Sequence, residues 1–231
     1  EIVHHSEPIL LVGIPEAALK AFERWYVGRE LSATVFVGQT DKAGTQSIDA
    51  ISGATVTSLA LNQTILGTAR KLALGVNLIE QTSATTGHFV EQSEPLTWAQ
   101  MEEQGLFGRL FVSEKQMGEQ QTEHGQFVNL WFTIADAPQV GRALFGDNDY
   151  AWLRERQKPG EHLVVILGSG SQSFKGSGFV RGGIFDRVRI EQGLRQIVFR
   201  DTDYRNLSSI QAAGAPSFDE GALFFTRKNQ L

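Results

Sequence analysis

At 231 residues, with 41% hydrophobic and 20% charged side chains, the chain has the make-up of one large or two small packed domains, and not of a disordered or collagen-like polymer. Twenty-one basic against 26 acidic residues give a net charge of −5, with no Lys/Arg block longer than two, so the electrostatic footprint of a nucleic-acid binder is missing. The absence of cysteine excludes disulfides, thiolate zinc sites, Cys-ligated clusters and cysteine nucleophiles from this chain.

The longest apolar stretch, Pro8 to Pro15, is far short of the roughly 20 residues that cross a bilayer. Glu1 is not a methionine and no signal pattern follows it, which predicts a piece of a longer protein. Glu16 to Arg29 carries Ala17, Leu19, Phe22 and Tyr26 near helical spacing, and Leu31 to Gly38 alternates like a strand. Gln39 to Ser47 reads as a polar loop. Ser52 to Leu78 opens with small residues and then places Leu59, Leu66, Ala69, Leu72 and Val76 at helical steps, with Arg70 and Lys71 suited to the C-terminal half of a helix. The Ser/Thr-rich stretch Gln81 to Pro95 marks a boundary, which predicts one domain over 1–85 and a second unit over 96–231.

In that second unit Leu96 to Glu103 and Gln139 to Arg156 read as helices. Phe127 to Ile134, His162 to Leu167, Phe185 to Ile190 and Arg195 to Arg200 read as strands, the last two joined by a turn at Glu191, Gln192 and Gly193. Strands that follow one another without intervening helices predict an α+β fold with antiparallel sheets rather than a wound parallel sheet.

Most generic chemical signals have an ordinary explanation. Gly168 to Gly183 lacks both the Gly-Lys-Ser/Thr of a phosphate loop and a full G-x-G-x-x-G, and reads as a turned loop. His4 with His5, Asp147 with Asp149 and Asp201 with Asp203 have no recognised metal-ligand spacing, so no metal site is expected. There is no G-x-S-x-G elbow to support a hydrolase. Lys175, Arg181, Arg187 and Arg189 form either a basic surface or a solvated sheet face, and the C-terminal Arg227-Lys228 pair gives no orientation relative to a membrane.

Asp49 to Ser58 stands apart. Ser52, Gly53 and Ala54 leave room for a bulky group to approach the backbone, and Thr55 stands where a long helix begins. A phosphate esterified there would meet the orphan amides and positive dipole of the first turn, with Ser52 and Thr57 able to add hydrogen bonds. The competing reading is that Asp49 and Ser52 simply cap the helix.

The string Asp49-Ala50-Ile51-Ser52-Gly53-Ala54-Thr55 resembles the flavinylation motif D-x-x-(S/T)-G-A-T of the FMN-binding domains of Na⁺-pumping NADH:quinone reductase and Rnf complexes. The resemblance implies covalent FMN on Thr55 through a phosphoester, with Asp49 recognised by a flavin transferase. It also implies that His5 and Glu7, in a stretched version of an H-x-E-T-P-G-x-G segment, line the flavin.

Over the whole chain, His5 to Glu16, Asp49 to Thr57, Ser173 to Val188 and Phe199 to Tyr204 are similar to the periplasmic part of the NosR/NirI family of nitrous oxide reductase regulators. This resemblance implies an FMN-binding-domain-like antiparallel sheet with helices, lacking its first strands, followed by a second mainly antiparallel β-containing unit. It further implies a place on the periplasmic face of the inner membrane, with transmembrane and iron–sulfur regions elsewhere in the parent protein. The function implied is electron transfer supporting activation or maturation of nitrous oxide reductase, in partnership with the reductase or its maturation proteins. The alternative is a docking or sensory module using aromatics such as Trp98, Phe107, Trp131 and Trp152, whose ordinary reading is core packing.

Overall fold

The structure, a computed structural model, describes residues 13–38, 45–79, 89, 94–117, 125–176, 184–192 and 195–226. The chain divides into two compact units, the first made of 1–83, 190–196 and 230–231 and the second of 84–189 and 197–229.

The first unit opens with helix α1, Glu16–Trp25, which starts after Pro15 and buries Leu19 and Phe22. Strand β1, Thr34–Val37, buries alternate residues Val35 and Val37. Strand β2, Thr45–Ile48, pairs with it in parallel, Val37 opposite Ile48. Helix α2, Thr55–Gly75, completes the unit. The core joins Leu19 and Phe22 of α1, Val35, Val37 and Ile48 of the strands, Ile51 and Ala54 of the connection, and Leu61 and Leu66 of α2. Burying each such side chain contributes about 1.5–3 kcal/mol for the larger aliphatics and Phe.

Three expectations are corrected in this unit. Thr45–Ile48 is a strand and not loop, and its pairing is parallel where an antiparallel sheet was expected. Its polar residues carry no strand signal, and Ile48 enters the core beside Val35 and Val37. The buried stripe of α2 runs through Ser58, Leu61, Asn62, Leu66 and Ala73, whereas Leu72 and Val76 are exposed. Arg70, in the C-terminal half of α2 as expected, reaches back to the segment before β1, donating from Nε to Leu31 O at 3.1 Å and from a terminal nitrogen to Ala33 O at 3.2 Å.

The second unit begins with helix α3, Trp98–Glu103, set by a capping box in which Thr97 Oγ1 accepts from the Gln100 N–H and Gln100 Oε1 accepts from the Thr97 N–H. Its main sheet holds β3 (Gly108–Ser113), β4 (Gln126–Ile134), β5 (Leu163–Ser169), β8 (Tyr204–Leu207) and β9 (Glu220–Phe225), ordered β3-β4-β5-β9-β8 and antiparallel throughout. Between β4 and β5 lies helix α4, Pro138–Arg156. Trp131, Val165, Leu167 and Leu223 of the sheet form one core with Trp98 and Met101 of α3 and Val140, Leu144 and Leu153 of α4. The hairpin β6 (Ile184–Gln192) and β7 (Arg195–Arg200) brings Phe185 and Phe199 against Phe224, which alternates to the opposite face from Leu223.

The α+β class is therefore as expected, and the helices and strands anticipated in this unit appear with shifted ends. Strands β3, β8 and β9 were not anticipated. β9 is buried along most of its length, so it shows no alternation, and its Gly and Ala carry little strand preference.

The buried Asp136, in the connection between β4 and α4, ties together α4 and β5. Its carboxylate accepts from Leu163 N at 2.9 Å, from Arg154 at 3.0 Å and from Gln157, and its carbonyl accepts from Tyr150 Oη at 2.7 Å. A buried charge is tolerated there because each oxygen has a donor.

Candidate functional site

Asp49 leaves the end of β2 exposed, Ile51 returns to the core, and Ser52 and Gly53 are exposed before Ala54 is buried again. The Ala54 N–H donates to Ile51 O at 2.9 Å and closes a four-residue turn. Gly53 occupies its third position at φ +78°, which a type II turn requires and side chains resist. A Cβ at Gly53 would meet nothing within 4 Å, so glycine is required by the backbone and the space above the turn is open.

Ser58, fully buried, holds this turn to the helix. Its Oγ accepts from the Ile51 N–H at 2.8 Å and donates to Ala54 O at 2.9 Å. One turn further on, buried Asn62 accepts from Tyr26 Oη at 2.8 Å and donates to Val35 O at 3.4 Å, tying α2 to both α1 and β1. Burial pushes the Tyr26 phenol above its ordinary range. Burial also lowers the Arg70 guanidinium below its usual value. Neither Ser58 nor Asn62 received a role from the sequence. The signal available was two polar residues, four apart, on the stripe that also carries Leu66.

Helix α2 starts at Thr55 with Ala54 as its N-cap, so no side chain caps it from that position, and its first turn contains no acidic residue. The capping alternative for Asp49 and Ser52 is thus not realised. Thr57 is buried. An α-helix leaves its first amides without intrahelical partners and carries a partial positive charge at that end, so an open turn of small residues leading into it suits an anionic group. Asp49, Ser52, Gly53 and Ala54 lie on the segment that leads into α2, and Thr55 and Thr57 on its first turn. His5 and Glu7 lie outside the described residues, as do His4, Arg181, Arg227 and Lys228.

The remaining candidates have local explanations. Asp147 pairs with Arg142, whose hydrogen bond holds its carboxyl below the ordinary range. Asp203 is buried and accepts from the Arg200 N–H at 3.0 Å. Among the described residues, no group of three or more His, Asp or Glu is placed to hold a metal ion. No described helix is long and apolar enough to cross a membrane. Of the glycine-rich stretch, Gly168 belongs to β5 and packs close to Phe174, and 177–183 lie outside the described residues. Trp98 and Trp131 are core residues at 3% and 7% exposure, Phe107 stacks on Trp98, and Trp152 is 40% exposed.

Fold and site together define a two-unit α+β protein with a small-residue turn opening its longest described helix. No protein-family profile and no solved structure matches the chain. It is 39% identical over 99% of its length to the regulatory protein NosR of Pseudomonas aeruginosa, and 35% identical over 98% to the regulatory protein NosR of Stutzerimonas stutzeri. Over 96% of its length it is 31% identical to the protein NirI of Paracoccus denitrificans. The chain belongs to the NosR/NirI family, and spans about a third of the length of these curated relatives.

Proposed function

We propose that this chain is the periplasmic, flavin-bearing part of a regulatory protein in denitrification, carrying FMN covalently on Thr55 and relaying electrons in support of nitrous oxide reductase. The observation that carries the reading is the open, Ser58-braced turn Ile51–Ala54 delivering the chain into the uncapped start of α2 at Thr55. The names of the relatives support the regulatory part of the proposal.

In this reading each residue has a limited task. Gly53 keeps the approach to the turn clear, and Ser58 and Ile51 fix its shape before any modification. The first-turn amides and helix dipole stabilise the phosphate charge near Thr55. Exposed Asp49 is available to a flavin transferase. When bound, FMN supplies one- or two-electron chemistry, and the protein supplies position and surroundings rather than a side-chain acid or base. A tether also keeps the cofactor from diffusing away.

The test is the intact mass of the protein exported to the periplasm of a strain containing the flavin transferase, with peptide mapping across Asp49 to Arg70. A gain of one FMN less one water on the Thr55 peptide is expected. Thr55→Val should remove it while circular dichroism stays unchanged, and a flavin adduct retained in that variant would refute the acceptor assignment.

A further inference from the structure

Trp152 is the exposed one among the four aromatics considered for docking, and two cations converge on it from different elements. Arg156, one turn later on α4, places its guanidinium carbon 3.9 Å from the indole centroid, and Arg205 of edge strand β8 places its own at 5.2 Å. The other arginines of α4 are committed, Arg142 to Asp147 and Arg154 to Asp136. Among the described residues, neither Arg156 nor Arg205 has an acidic partner, although the chain is acidic overall. A guanidinium over an indole ring retains further N–H donors for a carboxylate, and Trp and Arg are the residue types that dominate binding hot spots.

We infer that Trp152, Arg156 and Arg205 form a docking point for a short acidic segment of a partner protein. The charge complementarity is local: Arg156 spends one N–H on Trp152 O at 3.4 Å, and two guanidiniums with no carboxylate partner among the described residues, set beside an apolar ring, select a segment that combines carboxylates with an apolar side chain. Exposed Asp149 and Glu155 lie three residues to either side of Trp152 on α4. They oppose a uniformly anionic surface, and attraction to anionic lipid ordinarily takes clusters of about four to eight basic residues. A peptide threads between such charges, and a bilayer surface does not. This inference is independent of the flavin proposal, since all three residues belong to the second unit.

The test is fluorescence anisotropy of a labelled peptide of alternating Glu and Leu against the purified chain at low and moderate ionic strength. Binding that weakens with salt is expected. Arg156→Glu with Arg205→Glu should weaken it by at least about tenfold, as loss of close charge pairs does. Lys115→Glu, on the exposed turn after β3, should leave it unchanged. Circular dichroism checks that the variants fold, and Arg156→Lys with Arg205→Lys, which keeps charge but loses the planar edge, should fall between. Absence of peptide binding to the parent chain, or equal affinity in the charge-reversed pair, would overturn the proposal. So would binding to phosphatidylserine vesicles that depends on these arginines without peptide binding. Self-association abolished by the same pair, again without peptide binding, would make a second copy the occupant and overturn it equally.

Discussion

Ser58 shows how one hydroxyl sets the geometry of the proposed attachment turn. It satisfies the buried Ile51 N–H and bridges to Ala54 O, so the turn is fixed from inside the helix. Ser58→Ala removes the acceptor and leaves that amide unpaired. A loss of about 1–3 kcal/mol in denaturant unfolding is expected, together with poorer flavin incorporation. Stability within measurement error of the parent would show that the bracing is dispensable. The sequence marked Gly53 and Thr55 because small residues and a hydroxyl at a helix start carry a local signal. It did not assign Ser58 or Asn62, since their tasks depend on partners seven and 36 residues away.

At the scale of elements, α4 is two helical pieces and not one. Gly146 stands at φ 75° and ψ 170°, a backbone region essentially confined to glycine, and Gln211 fills the break by donating from Nε2 to Phe145 O at 2.9 Å. The break redirects the piece that bears Trp152 and Arg156. Gly146→Ala should lower stability by about 1–3 kcal/mol in thermal or denaturant unfolding. Its Cβ would also clash with Gln211 Oε1, but that side chain can move. Adding Gln211→Ala is therefore expected to restore little, and full restoration would mean that the clash, not the backbone, sets the cost. Helical periodicity found this segment from its apolar residues and ran straight through Gly146, because a period does not register one residue's dihedral angles. Strand β2 was missed for the opposite reason, its short polar run having no pattern until β1 lies beside it.

At the scale of the whole molecule, each unit has its own apolar cluster, and the chain's pH response follows from the groups those clusters enclose. Burial raises the Tyr26 phenol above its ordinary value of 10.0. Its contribution is thus fully present below that value and lost as pH rises through the folded-state value, because the unfolded phenol ionises first. Tyr26→Phe should cost about 1 kcal/mol near neutrality, through the lost hydrogen bond to Asn62, and the gap should close in alkali. Denaturant unfolding of both proteins across that range, followed by amide exchange in α1 and α2, checks it. A gap that stays constant in alkali would remove the phenol from the account.

The amino-acid sequence by itself determined the α+β class, the main helices, the exclusion of cysteine chemistry and the motif ending at Thr55, because these rest on composition and on contacts a few residues apart. Tertiary structure decided the parallel pairing of β1 with β2, the Ser58 brace, the Asp136 junction and the gathering of Arg156 and Arg205 on Trp152. Each of those joins residues distant in sequence or depends on a backbone angle, and neither is encoded in a local period.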